Sequence, residues 1–365
     1  MSQKKILHVV GHLGNGGDTR SIINVLDYIN HNNCDYTFDF LTHEGYNVKF
    51  VNELKKSNIK VSVLEGDARI IGPIKYYRLL VDFFRNNSYD AVHFHTSFQS
   101  FVGIIAAKRC GIKIRVCHSH TSDTVRKTNK IQKLFILPLC RVLINIFSTK
   151  KICCSKNAGE FLFGKHSKFE IIYNGIDIEK IKKIDDDNVK RIVSKYNIDK
   201  NDIIVGQVGR FDDNKNQLFT IRLAEYFWDN NIRNIKFFLI GNGSTYENLK
   251  KVIIDKKIGN VFLTGMVDDV NNYMFLFNYL LLPSRFGEGL PVTLIEQQIV
   301  NSNCICLVSD IVTDEANIGN VKYLSLKDIE TWIRIIENRS YDGRKCDYSK
   351  FDINNTAKKW LNIYK

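Results

Sequence analysis

The sequence predicts an α/β protein built from two doubly wound parallel sheets, one in each half of the chain. Three observations carry this reading. Short apolar runs alternate with longer segments of helical period, a polar stretch "IEKIKKIDDDNVKRIVSKYNIDKND" interrupts them near the middle, and the alternation then restarts. The length of 365 residues also suits two domains of ordinary size better than one core.

"KKILHVV" reads as the first strand and not as a signal peptide, because "GHLGNGGD" ends its apolar run at once. "YTFDFLT", "KVSVLE", "YDAVHFH", "IRVCHSH", "KKICCS" and "FEIIYNG" follow as strands, with helical patterns such as "RSIINVLDYIN" and "GPIKYYRLLVDFFRNN" between them. This is the rhythm of parallel strands covered on both faces. Beyond the polar stretch, "IIVGQVGR", "IKFFLIG", "VFLTG", "YLLLPS" and "CICLVSD" supply a second set. Two such sheets are expected to make a cleft, with ligand beyond the C-terminal ends of the strands.

A composition of 44% hydrophobic and 25% charged residues is that of a folded soluble protein, and no stretch is apolar for long enough to span a bilayer. The nine cysteines lack zinc or redox spacing and mostly lie in apolar runs, which points to reduced, buried thiols in a cytoplasmic protein. The net charge of +13 implies an acidic partner. Between Lys108 and Lys156 stand about a dozen Lys and Arg against one acid, Asp123. There Arg126, Lys127, Lys130 and Lys133 adjoin Leu134, Phe135 and Ile136 in "VRKTNKIQKLFILPLCRVLINIF". That segment has two readings: an interfacial helix held to anionic lipid on the inner face of the membrane, or a core helix with a solvated basic rim. Nucleic acid is not the expected partner, since no recognition motif accompanies the charge.

The strand ends carry the chemistry. Gly16 and Gly17 close a glycine-rich loop that opens onto a helix through Asp18 or Thr19. Such a loop admits a phosphate or sugar close to the backbone, or is a plain tight turn. It departs from the dinucleotide fingerprint because no acid closes the second strand to hold a ribose. Arg210 ends the first strand of the second half and Lys215 follows, a forked and a flexible cation suited to a diphosphate. Gly241 and Gly243 follow the next strand, and the one after ends at Gly265 and Met266, so small residues recur along one sheet edge as a nucleotide-sized ligand requires. His118 and His120 flank Ser119 at a strand end in the first half, either as polar groups at the cleft or as structural histidines.

"SRFGEGLPVTLIEQQ" places glycines, a helix start near Pro291 and two acids together. Backbone from Gly289 and Leu290 through Pro291 and Val292 would meet the diphosphate, while Glu296 lies roughly 7 Å further along the helix axis. Glu296 then accepts ribose hydroxyls and Glu288, in the turn, accepts hydroxyls of a second sugar. Acids on both sides of a phosphate-binding turn suit a ligand with polyols at both ends, as a nucleotide-sugar has.

With these residues in view, the chain resembles a GT-B-type glycosyltransferase of family 4, and in detail bacterial enzymes of capsular and exopolysaccharide assembly. The resemblance rests on the glutamate pair in "EGLPVTLIE" after "LLPS", on "NGID" at Asn174 to Asp177, on Arg210 with Lys215, on Gly241 to Gly243, and on "IRVCHSHTS". It implies a GT-B fold with an acceptor domain over 1–175, a donor domain over 176–349 and a last helix, about 350–365, returning to the first. It also implies transfer of a sugar from a nucleotide diphosphate donor, a UDP-sugar by expectation, to a glycan or lipid-linked acceptor. Transfer would proceed with retention, without metal or cofactor, with His120 the first candidate for the polar group near the anomeric centre and His118 the second. No cluster of Asp or His with metal spacing is evident in the sequence. Two positions depart from the family's habit: Asp18 and Thr19 follow the glycine pair, and Gly287 precedes Glu288. A nucleotide-sugar epimerase on the same plan, or an idle nucleotide-sugar-binding protein, are the competing readings.

Overall fold

The computed structural model describes residues 3–14, 17–32, 35–43, 47–48, 51–52, 54, 59–122, 130, 132–286, 288–338 and 347–365. The chain divides into two compact units, Met1–Ile176 with Lys350–Lys365, and Asp177–Ser349.

Unit 1 holds seven strands: β1 (Lys4–Val9), β2 (Tyr36–His43), β3 (Val61–Leu64), β4 (Ala91–Phe94), β5 (Ile114–Ser119), β6 (Lys150–Cys153) and β7 (Glu170–Ile171). All pair in parallel, in the order β3-β2-β1-β4-β5-β6-β7. The order reverses between β1 and β4, and there His8 stands opposite His93. The centre of this sheet is buried on both faces, as unbroken apolar runs such as "ILHVV" require. One face packs on the helix Ile353–Ile363, whose Ile353, Ala357, Trp360 and Ile363 join Ile6, Phe38 and Phe40 in a common core, with Tyr364 just beyond it. That helix is tied at its start, where the Ile353 amide donates to the Ile176 carbonyl at 3.0 Å and Asp352 caps the amide of Asn354.

Unit 2 holds β8 (Ile203–Val208), β9 (Ile235–Ile240), β10 (Val261–Gly265), β11 (Tyr279–Leu282), β12 (Ile305–Ser309) and β13 (Val321–Leu324), again all parallel, ordered β10-β9-β8-β11-β12-β13. Here the reversal falls between β8 and β11. Phe219, Phe227, Phe237, Leu239, Leu281, Leu307 and Trp332 form its core. The polar stretch read from the sequence as an interruption contains two helices, Ile178–Ile181 and Asp186–Lys195, the second started by Asp185 accepting from the amides of Asp187 and Asn188.

Gly241 and Gly243 are required first by the fold. A Cβ on Gly241 would lie 2.0 Å from the Gly209 carbonyl oxygen, and one on Gly243 would lie 2.1 Å from that of Phe211. The closeness lets the loop after β9 bond both its neighbours: the Gly241 amide donates to Gly265 and the Phe211 amide to Asn242. We expect Gly243→Ala to destabilise unit 2 by ~3 kcal/mol or more through forced displacement of the Phe211 backbone. Urea unfolding followed by hydrogen exchange in 177–349 checks this, and a loss confined to donor binding would contradict it.

Candidate active site

The ends of β10, β9, β8 and β11 lie side by side, so Met266, Gly241 with Gly243, Arg210 with Lys215, and the turn carrying Glu288 line one edge of the unit 2 sheet. Four neighbouring strands span about 14 Å. At the reversal of strand order, the loop after β8 and the loop after β11 are clasped together. The Arg285 amide donates to the Asn214 carbonyl at 2.9 Å, the Phe286 amide to Asn214 Oδ1 at 2.8 Å, and Asn216 Nδ2 to the Pro283 carbonyl at 3.1 Å. Asn216 itself takes the left-handed conformation, φ 54°, that ends the loop and begins the helix Gln217–Asp229.

Asp212 organises the cations. Its carboxylate accepts from Arg210 Nε at 2.8 Å and from the Lys215 amide at 2.9 Å. Lys215 Nζ then reaches Glu288 Oε1 at 2.9 Å, and Ser284 Oγ donates to the same oxygen at 2.7 Å. Lys215 and Glu288 are both largely buried, 19% and 13% exposed, whereas Arg210, held by Asp212, is 70% exposed. The two groups that the sequence assigns to diphosphate and sugar are thus in direct contact. Asp212, Asn214, Asn216 and Ser284 went unassigned in the sequence. The polar run "DDNKN" that follows Arg210 and Phe211 was the available signal.

Gly289 and Leu290 lead into the helix Val292–Val300, with Pro291 in the capping position and the Leu294 amide turned back to the Pro291 carbonyl at 3.0 Å. The first-turn amides of Val292 and Thr293 have no carbonyl one turn back to donate to. The helix is anchored by two side-chain amides: Gln297 Nε2 donates to the Met274 carbonyl, and Gln298 bonds the Ala316 carbonyl and the Ile318 amide. Glu296 lies one turn beyond the free amides, and burial pushes its carboxyl up to about 7.

In unit 1, Gly17 starts the helix Gly17–Asn32, and Thr19 Oγ1 donates back to the His12 carbonyl. Gly16, Gly287, Arg126 and Lys127 lie outside the described residues, as does the Asp18 side chain. His118 is the penultimate residue of β5 and His120 follows the strand directly, with ring centroids 3.9 Å apart. They are not alone. His8, His93 and His95 come to the same place from β1 and β4, a cluster that sequence spacing does not disclose because three separate strands deliver it. This corrects the expectation that no histidines with metal spacing occur: ligand atoms of His8, His93 and His95, and of His95, His118 and His120, fall within 4.8 Å of one another. Among themselves the nitrogens make hydrogen bonds, His8 Nδ1 to His95 Nε2 at 3.0 Å and His95 Nδ1 to His120 Nε2 at 2.8 Å. Burial holds His8 down at about 3 and His93, His95 and His118 well below the ordinary imidazole range, so these rings are neutral.

Two Rossmann-like units with cations, a helix N-terminus and flanking acids at a strand-order reversal define a GT-B glycosyltransferase. Comparison with known proteins agrees. Residues 16–180 match the family described as Glycosyltransferase Family 4, and residues 188–324 match Glycosyl transferases group 1, so the matches cover over four-fifths of the chain. The chain belongs to these glycosyltransferases. It is 28% identical to the capsular polysaccharide biosynthesis glycosyltransferase CapH of Staphylococcus aureus over 99% of this chain and 98% of that one. It is 25% identical to the UDP-Gal:alpha-D-GlcNAc-diphosphoundecaprenol alpha-1,3-galactosyltransferase of Escherichia coli, over 82% and 81% of the two chains. Anabaena Alr3699/HepE, solved with UDP and glucose, shares the fold with a TM-score of 0.78 at 17% identity, covering 99% of both chains.

The raised Glu296 carboxyl has a stability consequence. Because the folded state holds this proton up to about pH 7 and the unfolded chain only to about 4.5, stability falls as pH rises through that window and levels off above it. We expect Glu296→Gln to raise the melting temperature at pH 8 by on the order of 5 °C and to leave it unchanged near pH 4.5. Thermal denaturation at the two pH values checks this, and an equal effect at both would contradict it.

Proposed function

We propose that the protein transfers a sugar, with retention and without a metal, from a UDP-sugar to a glycan or lipid-linked saccharide in cell-surface polysaccharide synthesis. The observation that carries this is the joining of Lys215 and Glu288 at the strand-order reversal of unit 2, beside a helix N-terminus with Glu296 one turn in. In this reading Arg210, Lys215 and the amides of the Leu290–Thr293 turn stabilise the charge that develops on the departing diphosphate. Glu296 accepts ribose hydroxyls. Glu288, already an acceptor for Ser284, is freed from Lys215 when the diphosphate competes for the ammonium, and takes hydroxyls of the sugar. His120, with His118, supplies the polar groups at the anomeric carbon, and unit 1 recognises the acceptor. The relatives support the donor and acceptor classes: one is named for UDP-Gal and a diphosphoundecaprenol-linked sugar, another for capsular polysaccharide.

We expect Lys215→Ala and Arg210→Ala each to lower turnover by roughly tenfold or more on the donor identified by screening UDP-sugars, with Lys215→Ala the more severe because its charge is the less solvated. Steady-state kinetics checks this. Near-normal turnover in both variants would remove the diphosphate assignment.

The acceptor's class bears on the basic segment of unit 1. Its helix Leu137–Phe147, entered through a π turn at Gln132–Ile136, buries Cys140 and Ile144 and turns Leu134, Phe135, Leu139 and Ile146 outward at 67, 65, 59 and 64% exposure. These side chains do not fill a core. Lys130 and Lys133 are exposed beside them, and no Asp or Glu occurs in the sequence between Asp123 and Glu160. We propose that this face docks reversibly on anionic lipid, Arg126 and Lys127 adding charge. Among the described residues no helix is long and apolar enough to cross a membrane. Each cation near a charged surface contributes about 1 kcal/mol, screened by salt. Co-sedimentation with anionic vesicles is expected at low salt and much reduced at high salt or with Leu134→Ser and Phe135→Ser together. Absence of binding at low salt would end the docking proposal and leave the transferase reading standing.

A further inference from the structure

The five histidines of unit 1 form one continuous chain through a tyrosine at the far end of the sequence. His118 Nδ1 meets His93 Nε2 at 3.2 Å, and His93 Nδ1 meets the Tyr364 hydroxyl at 2.6 Å. The same hydroxyl meets His8 Nε2 at 3.4 Å, His8 Nδ1 meets His95 Nε2, and His95 Nδ1 meets His120 Nε2. A neutral imidazole has one N–H and one lone pair, and each contact between nitrogens needs one of each. The proton position on any one ring therefore fixes it on all the others, through the hydroxyl. If Tyr364 donates to His93, all five rings carry the proton on Nε2. If it donates to His8, all five carry it on Nδ1.

We propose that Tyr364 is a positioning residue whose hydroxyl proton, donated to His93 Nδ1, holds all five histidines in the Nε2–H tautomer. The 2.6 Å contact to His93 is in the range for a hydroxyl donor and shorter than that for an N–H donor, while the 3.4 Å contact to His8 is longer than either, so the hydroxyl proton belongs with His93. Burial keeps the phenol well above its ordinary pKa and His8, His93, His95 and His118 neutral, so these rings carry no charge that would scramble the order. Trp360, stacked on His8 at 5.5 Å and on the same helix as the tyrosine's approach, fixes the rings from the other side. One end of the chain is His118 Nε2, buried and without a partner, which in this arrangement bears a proton ready for an oxygen acceptor. The catalytic consequence rests on the reading above, in which His118 and His120 stand beside the transferred sugar. The tautomer lock does not.

The test is a two-bond proton–nitrogen correlation spectrum of the full chain with 15N-labelled histidine near pH 7.5. Five rings with protonated Nε2 and bare Nδ1 are expected, and Tyr364→Phe should move at least His93 and His118 out of that pattern. Tyr36→Phe, whose ring lies 6.3 Å from that of Tyr364 but outside the chain, should leave it intact. An Nδ1–H form at any of the five in the unmodified protein, or an unchanged spectrum in Tyr364→Phe, overturns the proposal. Should Tyr364→Phe fail to fold, the spectrum of the unmodified protein decides alone. In kinetics we expect Tyr364→Phe to lower kcat about fivefold or more with donor KM altered by less than about twofold. A spectral change with unaltered kcat would uphold the lock and remove the histidines from the sugar's side.

Discussion

The reversal of strand order in each parallel sheet is the constraint on which the rest depends. Strands β1 and β4, and β8 and β11, are neighbours in space but distant in sequence, and the chain leaves each pair toward opposite sides of its sheet. Loops after such a pair diverge, so side chains projected from them meet across a gap that no local segment could create. Lys215 and Glu288 come from opposite members of the β8/β11 pair, and His8 and His93 from opposite members of β1/β4.

Both gaps face the same electrostatic difficulty, and the two units resolve it differently. Ionised groups removed from water lose solvation that only close partners restore. Unit 2 keeps its charges and pairs them, Lys215 with Glu288 and Arg210 with Asp212, while the unpaired Glu296 is driven toward its neutral form. Unit 1 gathers five ionisable rings and keeps His8, His93, His95 and His118 uncharged, substituting hydrogen bonds for ion pairs. A site of the first kind is ready to exchange one anion for another. A site of the second kind is ready to orient dipoles.

Much of this was legible in the sequence, for physical reasons that also explain the gaps. β-branched and aromatic runs such as "IKFFLI" announce buried strands, but β13, "VKYL", is four half-buried residues behind "NIGN" and carries too little pattern. The helix Asp186–Lys195 buries only Ile192, so its apolar period was hidden under charge. The Glu288 to Glu296 stretch was readable because its spacing is local to one turn and one helix. The histidine chain was not, since it depends on the register of three strands and on Tyr364, 271 positions from His93. Gly241 and Gly243 were read as small residues along a ligand-binding edge, and the carbonyls of Gly209 and Phe211, close to where a Cβ would stand, give each a second reason to be glycine that only the structure discloses. For the segment around Phe135, periodicity alone left a core helix and an interfacial one equally open, and only burial separates a face that is covered from one that is not.

The return of the last helix to unit 1 has a bearing on synthesis. Residues 177–349 are all translated before Ile353, Trp360 and Tyr364, which belong to the core and polar centre of the first unit. Every residue of the second unit is therefore made before the helix that covers the face of Ile6, Phe38 and Phe40 in the first. The N-terminal half is the older in order of translation and the younger in order of completion, and a chain lacking Ile353–Ile363 would present that open face to chaperones and proteases.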